Sequence, residues 1–151
     1  MKSLGLNFSK EAYFVVVLEG DDQNVVFVES RKVKFPANDD RRDKINWLYN
    51  EILSLIEEFQ PDRIGQRINF SPDSIDKLFT FGANVGASYL AASIKDVPIA
   101  DFTTQSFSSK RFGFDKKVDK YDWIDEALGS NPPHWNKQMK DAAFSAWSAL
   151  K

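Results

Sequence analysis

Three short runs of apolar residues open the chain. Residues 3–9 (SLGLNFS) and 12–18 (AYFVVVL) are apolar or alternating and are separated by Lys10-Glu11, the pattern of two strands joined as a hairpin. A polar turn at residues 20–24 leads into Val25-Val26-Phe27-Val28, whose β-branched and aromatic side chains extend past Glu29 toward Phe35 as a third strand. Pro36 and the polar Ala37-Asn38-Asp39-Asp40 end this meander, and the Asp pair is placed to cap a helix. Over residues 41–59, Ile45, Leu48, Ile52, Leu55, Ile56 and Phe59 recur at spacings of three and four, the repeat of an amphipathic helix. Gln60-Pro61-Asp62 stops it.

Residues 63–68 (RIGQRI) lie between two helical patterns and are predicted to be a parallel strand added by a crossover. A second long helix is predicted over 72–94, with Ile75, Leu78, Phe79, Gly82, Val85, Gly86, Tyr89, Leu90 and Ala92 marking one face. Its Gly82, Ala83, Gly86, Ala87 and Ser88 lower helix propensity, so a closely packed neighbour is expected: either the sheet or a partner subunit. Residues 97–102 read as a fifth strand, at an edge because Pro98 cannot donate to a ladder. One or two helices fit residues 104–128, a loop fits 129–133, and a last helix fits 136–150 with Met139, Ala143, Ala146, Trp147 and Leu150 inward. The expectation is an α/β fold with a mixed five-stranded sheet flanked by helices.

At 151 residues the chain has the size of one domain, expected to span 1–151. With 42% hydrophobic and 28% charged residues it reads as an ordinary globular protein, not a disordered or membrane-spanning one. Cysteine is absent, which removes disulfides, thiolate metal sites and cysteine nucleophiles. The N-terminus has neither the charge nor the apolar run of a signal peptide or anchor, so a cytoplasmic chain without membrane contact is expected. A net charge of -2 disfavours strong nonspecific duplex binding, while a local basic patch stays compatible with it.

Three motifs give the element order a family likeness. Leu4-Gly5-Leu6-Asn7-Phe8-Ser9 resembles the RuvC-type pattern Gly-Ile-Asp-Pro-Gly/Ser. Phe59-Gln60-Pro61-Asp62-Arg63-Ile64-Gly65-Gln66 resembles Tyr-x-Pro-Asp-x-x-x-x-Glu. The segment from Lys140-Asp141 to Leu150 is similar to Asp-Ala-x-Asp-Ala-x-x-x-Ala-Leu, and Gly82-Ala83-Asn84-Val85-Gly86 falls where the family tends to start a helix with small residues. The resemblance covers almost the whole chain and implies an RNase H-like fold of RuvC type; it extends to short bacterial RuvC-like proteins that end in a similar helix.

The resemblance also implies a chemistry. Phosphodiester hydrolysis in this superfamily uses two divalent metals, Mg or Mn, held by carboxylates. It implies acids at the positions held here by Asn7, Gln66 and Asp141, with a fourth at Phe144, and only Asp141 is an acid. Asn and Gln keep a carbonyl oxygen but bring no negative charge and accept no proton usefully, so two-metal catalysis is expected to be severely weakened. Two readings stand for Asn7 and Gln66: a remnant site now used for binding, or amides that satisfy backbone groups at strand ends. Asp141 is a metal ligand, if the chain has any, or a helix acid favoured by the macrodipole. Asp101 is a further acid available to replace a lost ligand.

Outside these positions, Lys110, Arg111, Lys116 and Lys117, followed by Lys120, are interleaved with Phe107, Phe112, Phe114 and Tyr121, a pattern that grips phosphate while stacking bases. Asp115, Asp119 and Asp122 dilute it, and a solvated helix face is the more frequent explanation of such a pattern. His134 in a loop is a surface or packing residue. Ser106, Ser108 and Ser109 look like helix caps, and Trp47, Trp123, Trp135 and Trp147 like core or interface residues. The leading expectation is a catalytically inactive RuvC-like domain, without cofactor, that binds nucleic acid or a protein partner and can form a homodimer through residues 82–92. The alternatives are a diverged metal-dependent endonuclease resembling Holliday junction resolvases, and a purely structural module.

Overall fold

The structure is a computed structural model that describes residues 1–37, 40–69, 72–130 and 133–151. Its elements follow the order β1 (Lys2–Phe8), β2 (Ala12–Gly20), β3 (Val25–Lys34), α1 (Arg41–Phe59), β4 (Arg63–Arg67), α2 (Ile75–Ile94), β5 (Ile99–Phe102), a 3-10 turn (Thr104–Ser106), α3 (Ser109–Phe112), α4 (Lys120–Leu128) and α5 (Lys137–Leu150). The five strands form one sheet in the order β3-β2-β1-β4-β5. β1 runs antiparallel to β2 and parallel to β4, which is in turn parallel to β5. This is the mixed, helix-flanked α/β sheet the sequence predicts, with β5 at the edge.

Helices cover both faces, which is why β1 and β2 read as apolar runs with little alternation. On one face Leu4, Leu6, Val15, Val17 and Ile64 meet Leu48, Ile52, Leu55 and Ile56 of α1 and Ala87, Ala91 and Ala92 of α2. On the other, Phe14, Val16, Leu18 and Phe102 meet α5, with Phe107 and Ile124 closing the sides. Side-chain caps set the helix starts: Asp40 accepts from the Arg42 and Asp43 amides, Ser74 from Lys77 and Asn136 from Met139. Asn38 and Asp39, part of the expected capping stretch, and Asn131 and Pro132 of the expected loop lie outside the described residues.

The last helix departs from the expected amphipathic pattern. Met139 and every residue from 141 to 150 are buried, so α5 is enclosed all round instead of along one stripe. It lies directly on β1 and β4. A Cβ built on Gly5 would stand 1.9 Å from the Ala142 carbonyl oxygen, and one on Gly65 would stand 2.1 Å from that of Ser145. Gly5 and Gly65 are register partners, so the bare backbone of two adjacent strands makes the seat on which α5 rests.

The expected inward face of α2 is corrected. α2 begins at Ile75, and the Gly82–Gly86 segment is mid-helix instead of a helix start. Its buried side consists of Asn84, Ala87, Ser88, Ala91 and Ala92. Ile75, Leu78, Phe79, Tyr89, Leu90 and Ile94 are exposed instead. Small side chains let the helix approach the sheet, so the large apolar residues are left outside. Gly82 and Gly86 border open space between them.

Overpacking costs about 1–3 kcal/mol and more where backbone must move. Gly65→Ala and Gly5→Ala are therefore expected to lower the urea midpoint of unfolding clearly. Gly86→Ala meets open space and adds helix propensity worth about 1 kcal/mol, so it should hold or raise the midpoint.

Candidate functional site

The carboxyl ends of parallel strands open a crevice where α/β sheets bind ligands. Here β1 and β4 end side by side at Asn7-Phe8 and Gln66-Arg67. Side chains alternate along a strand, so with Gly5 and Gly65 beneath α5, Asn7 and Arg67 point to that same face. The first turns of α5 cross above them.

Four side chains converge there. Asn7 is buried and donates its Nδ2 hydrogen to the Gln138 carbonyl at 3.0 Å, while its Oδ1 has no partner. Asp141 is buried; its Oδ1 accepts from the Tyr121 hydroxyl at 2.9 Å, and its Oδ2 lies 3.7 Å from Arg67 Nε. That Nε makes no hydrogen bond. Burial pushes the Asp141 carboxyl above the usual range, against the downward pull of the Tyr121 hydroxyl and the charges of Arg67, Lys120 and Lys137. Burial and the Asp141 carboxylate push the Tyr121 phenol up as well.

Gln66 is not part of this group. It faces the α2 side with Leu6 and Ile64, where its Oε1 accepts from Ser88 Oγ at 2.6 Å and its Nε2 donates to Asp101 Oδ1 at 2.8 Å. Tyr89 donates to the other Asp101 oxygen. The grouping of Asn7, Gln66 and Asp141 is thus corrected: strand alternation sends Gln66 to one face and Arg67 to the other. Four residues counted after Pro61-Asp62 also bring the acid position of the RuvC-type pattern to Arg67. Asp101, tied to Gln66 and Tyr89, is no substitute ligand beside Asp141.

Phe144 is corrected too. It is fully buried between Phe107, Phe112 and Trp123, with the Phe107 ring stacked on it at 5.0 Å. The α5 residue beside Asn7 is Gln138, one turn before Asp141. Arg67, Gln138 and Tyr121 were the members that sequence reasoning did not reach. Strand parity would have found Arg67; Tyr121 arrives from α4 with no local signal.

The basic segment splits. Arg111 is taken up in packing, donating to the Ser148 carbonyl at 3.2 Å and lying over the Phe102 ring. Lys110 is exposed, and Lys116 and Lys117 line a shallow groove of about 530 Å³ with Lys120, Phe107, Phe114 and Asp119. Its aromatics turn inward: Phe107 is buried, Phe112 packs on Trp123 and Trp147, and Phe114 leans on Trp123 at 5.1 Å. Phe107 is enclosed in the core, while Phe112, Phe114 and Tyr121 are half-buried beside the cations, so the expected stacking platform is kept only in part. Ser108 caps α3 and Ser106 completes a capping box with Thr103. His134 is exposed.

Chemically, the buried groups of this mouth are the Asn7 amide and one carboxylate already facing a guanidinium. Hard divalent cations need several anionic oxygens, and the donor set does not fit a pair of them. Among the described residues no three His, Cys, Asp or Glu side chains converge to hold a metal. No helix among them is long and apolar enough to cross a membrane.

No protein-family profile matches the sequence, and no curated protein does. Solved structures do match. Thermus thermophilus RuvC in complex with a Holliday junction substrate superposes with a TM-score of 0.80 at 15% identity, over 98% of this chain and 91% of that one. The yeast mitochondrial Holliday junction resolvase gives 0.73 at 13% identity, over 98% and 77%. The fowlpox virus Holliday junction resolvase gives 0.52 at 11%, over 99% and 94%. The chain has the RuvC-type RNase H-like fold, and its structure is similar to those of Holliday junction resolvases.

The Asp141 carboxyl should titrate above the ordinary Asp range in carboxyl-carbon NMR, and Arg67→Met, by removing the cation, should move it further up. A carboxyl whose folded pKa is raised stabilises the fold below its unfolded pKa, and that contribution is lost as pH rises through the folded value. Relative to wild type, Asp141→Asn should therefore gain stability as pH rises through that interval, read from denaturation midpoints.

Proposed function

We propose that this chain is a RuvC-like domain, 1–151, that binds branched nucleic acid in the cytoplasm without cutting it. One observation carries the reading: the buried carboxylate at the mouth, Asp141, faces Arg67 and is hydrogen-bonded by Tyr121, where a two-metal nuclease would collect several free acids. The Asn7 amide beside it does not withdraw a proton from water at neutral pH. Losing charge-stabilised metal contacts forfeits several kcal/mol of transition-state stabilisation, and about 1.4 kcal/mol is a tenfold loss of rate.

Binding draws on the exposed lysines. Lys116 and Lys117, with Lys110 nearby in sequence, supply charge that phosphate contacts need, in a chain whose total charge is slightly negative. The similarity to resolvases supports branched DNA as the form recognised.

The same reading includes a homodimer through α2. Its exposed stripe runs from Ile75 and Phe79 across the open Gly82 and Gly86 to Leu90 and Ile94. An apolar stripe with a notch at its middle is self-complementary when two copies cross there.

A synthetic four-way DNA junction is expected to be retarded in a gel at low salt and to stay intact with millimolar Mg or Mn. Calorimetric titration with either metal should give no binding heat. Lys116→Glu with Lys117→Glu should weaken junction binding by about tenfold or more. Metal-dependent cleavage would overturn the reading in favour of a diverged endonuclease, and indifference to the double reversal would overturn it in favour of a protein-interaction module. In sedimentation, Phe79→Asp with Leu90→Asp should convert a dimer to a monomer while the circular dichroism stays native.

A further inference from the structure

Around Asp141 the sign of the charge is the reverse of what a metal centre requires. Arg67 stands 3.7 Å away, and Lys120 and Lys137 lie within electrostatic reach. Both lysines sit over the Tyr121 ring, Lys120 Nζ at 5.2 Å and Lys137 Nζ at 5.4 Å from its centroid, and the Tyr121 hydroxyl reaches Asp141. Besides Asp141, Asp119 is the acid that acts on Tyr121. Three cations against two carboxylates leave this mouth positive.

Its flanks continue the pattern. On one side, Lys120 leads into the groove lined by Lys116 and Lys117. On the other, Gln138 borders a second groove of about 280 Å³ lined by Lys10, Lys32 and Lys34, with Glu11 as its acid. Gln138 is also the residue whose carbonyl holds Asn7, so each groove shares a residue with the mouth. Two atoms in it lack partners: the Arg67 Nε hydrogen has no acceptor, and Asn7 Oδ1 has no donor. The Nε itself is enclosed and faces Asp141 across 3.7 Å, but the Arg67 side chain is 22% exposed, and planar guanidinium is suited to phosphate.

We propose that the mouth formed by Arg67, Lys120 and Lys137 is a phosphodiester seat, in which guanidinium and ammonium groups take directly the backbone phosphate of a nucleic acid that runs from one lysine groove to the other. This rests on the nucleic-acid reading above and gives it a location. Asp141 is the gate on affinity: it positions Arg67 and Tyr121 and at the same time repels the phosphate. No metal bridges protein and ligand. Because Lys120 and Lys137 stand over the Tyr121 ring, the seat reads backbone and not base, and binding is tolerant of sequence.

Two probes test it. With the four-way junction, affinity should be the same in EDTA and in millimolar Mg after correction for ionic strength. Asp141→Asn, which keeps the shape of the side chain, should tighten binding about three- to tenfold. Lys137→Gln, at an exposed position, should weaken it and flatten the salt dependence by about one phosphate contact. With inorganic phosphate as the second probe, NMR should show the Arg67 Nε resonance shifting in wild type and shifting at lower phosphate in Asp141→Asn. Loss of binding in Asp141→Asn, or a requirement for Mg, would overturn the seat, as would phosphate that leaves Arg67 Nε unmoved. If phosphate moves Arg67 Nε but the junction does not bind, the seat stands and the choice of branched DNA fails; a junction that binds with Lys137→Gln unaffected retains that choice and overturns the seat.

Discussion

Every other placement in this molecule depends on the contact between α5 and the two glycines beneath it. Gly5 and Gly65 are partners across β1 and β4, and the carbonyls of Ala142 and Ser145 occupy the space where their side chains would be. That approach draws the helix onto the sheet and fixes its rotation. With Ala142 and Ala146 over Gly5, Asp141 is set above the strand ends and Phe144 is turned into the aromatic core. The parity that hides Gly65 under the helix also turns Arg67 toward Asp141 and Gln66 away.

Element order was legible in the chain because periodicity carries it, and the β5 edge because Pro98 does: the near-continuous apolar runs of β1 and β2 mark strands, and the threes and fours of α1 mark a helix with one buried side. The inner face of α2 was misread for a physical reason. A sequence pattern shows where apolar residues fall but not which side meets the sheet, and in α2 the small residues Ala87, Ser88, Ala91 and Ala92 take the contact while Phe79 and Leu90 stay out.

At the site, motif likeness singled out Asn7 and Asp141, which the fold brings to one mouth, while Arg67 was legible by count and strand parity but was read one position early as Gln66. In a strand one residue is the distance between two faces, so a motif read one position early lands on the opposite side of the sheet. Tyr121 was beyond reach because it comes to Asp141 from a separate helix; nothing in the spacing of residues 121 and 141 records their contact at 2.9 Å. The aromatic and basic interleaving of residues 107–121 was real in sequence and is kept only in part in space, with Phe107 in the core and Phe112, Phe114 and Tyr121 half-buried beside the cations.

The Arg67–Asp141 pair has a consequence for engineering this corner of the molecule. Asp introduced at position 7 would gain a neighbour of opposite charge in Arg67 before it could gain an ion from solution. Removing Arg67 first leaves Asp141 buried without its nearest cation. The two charges are therefore tied, and a redesign has to change them as a unit.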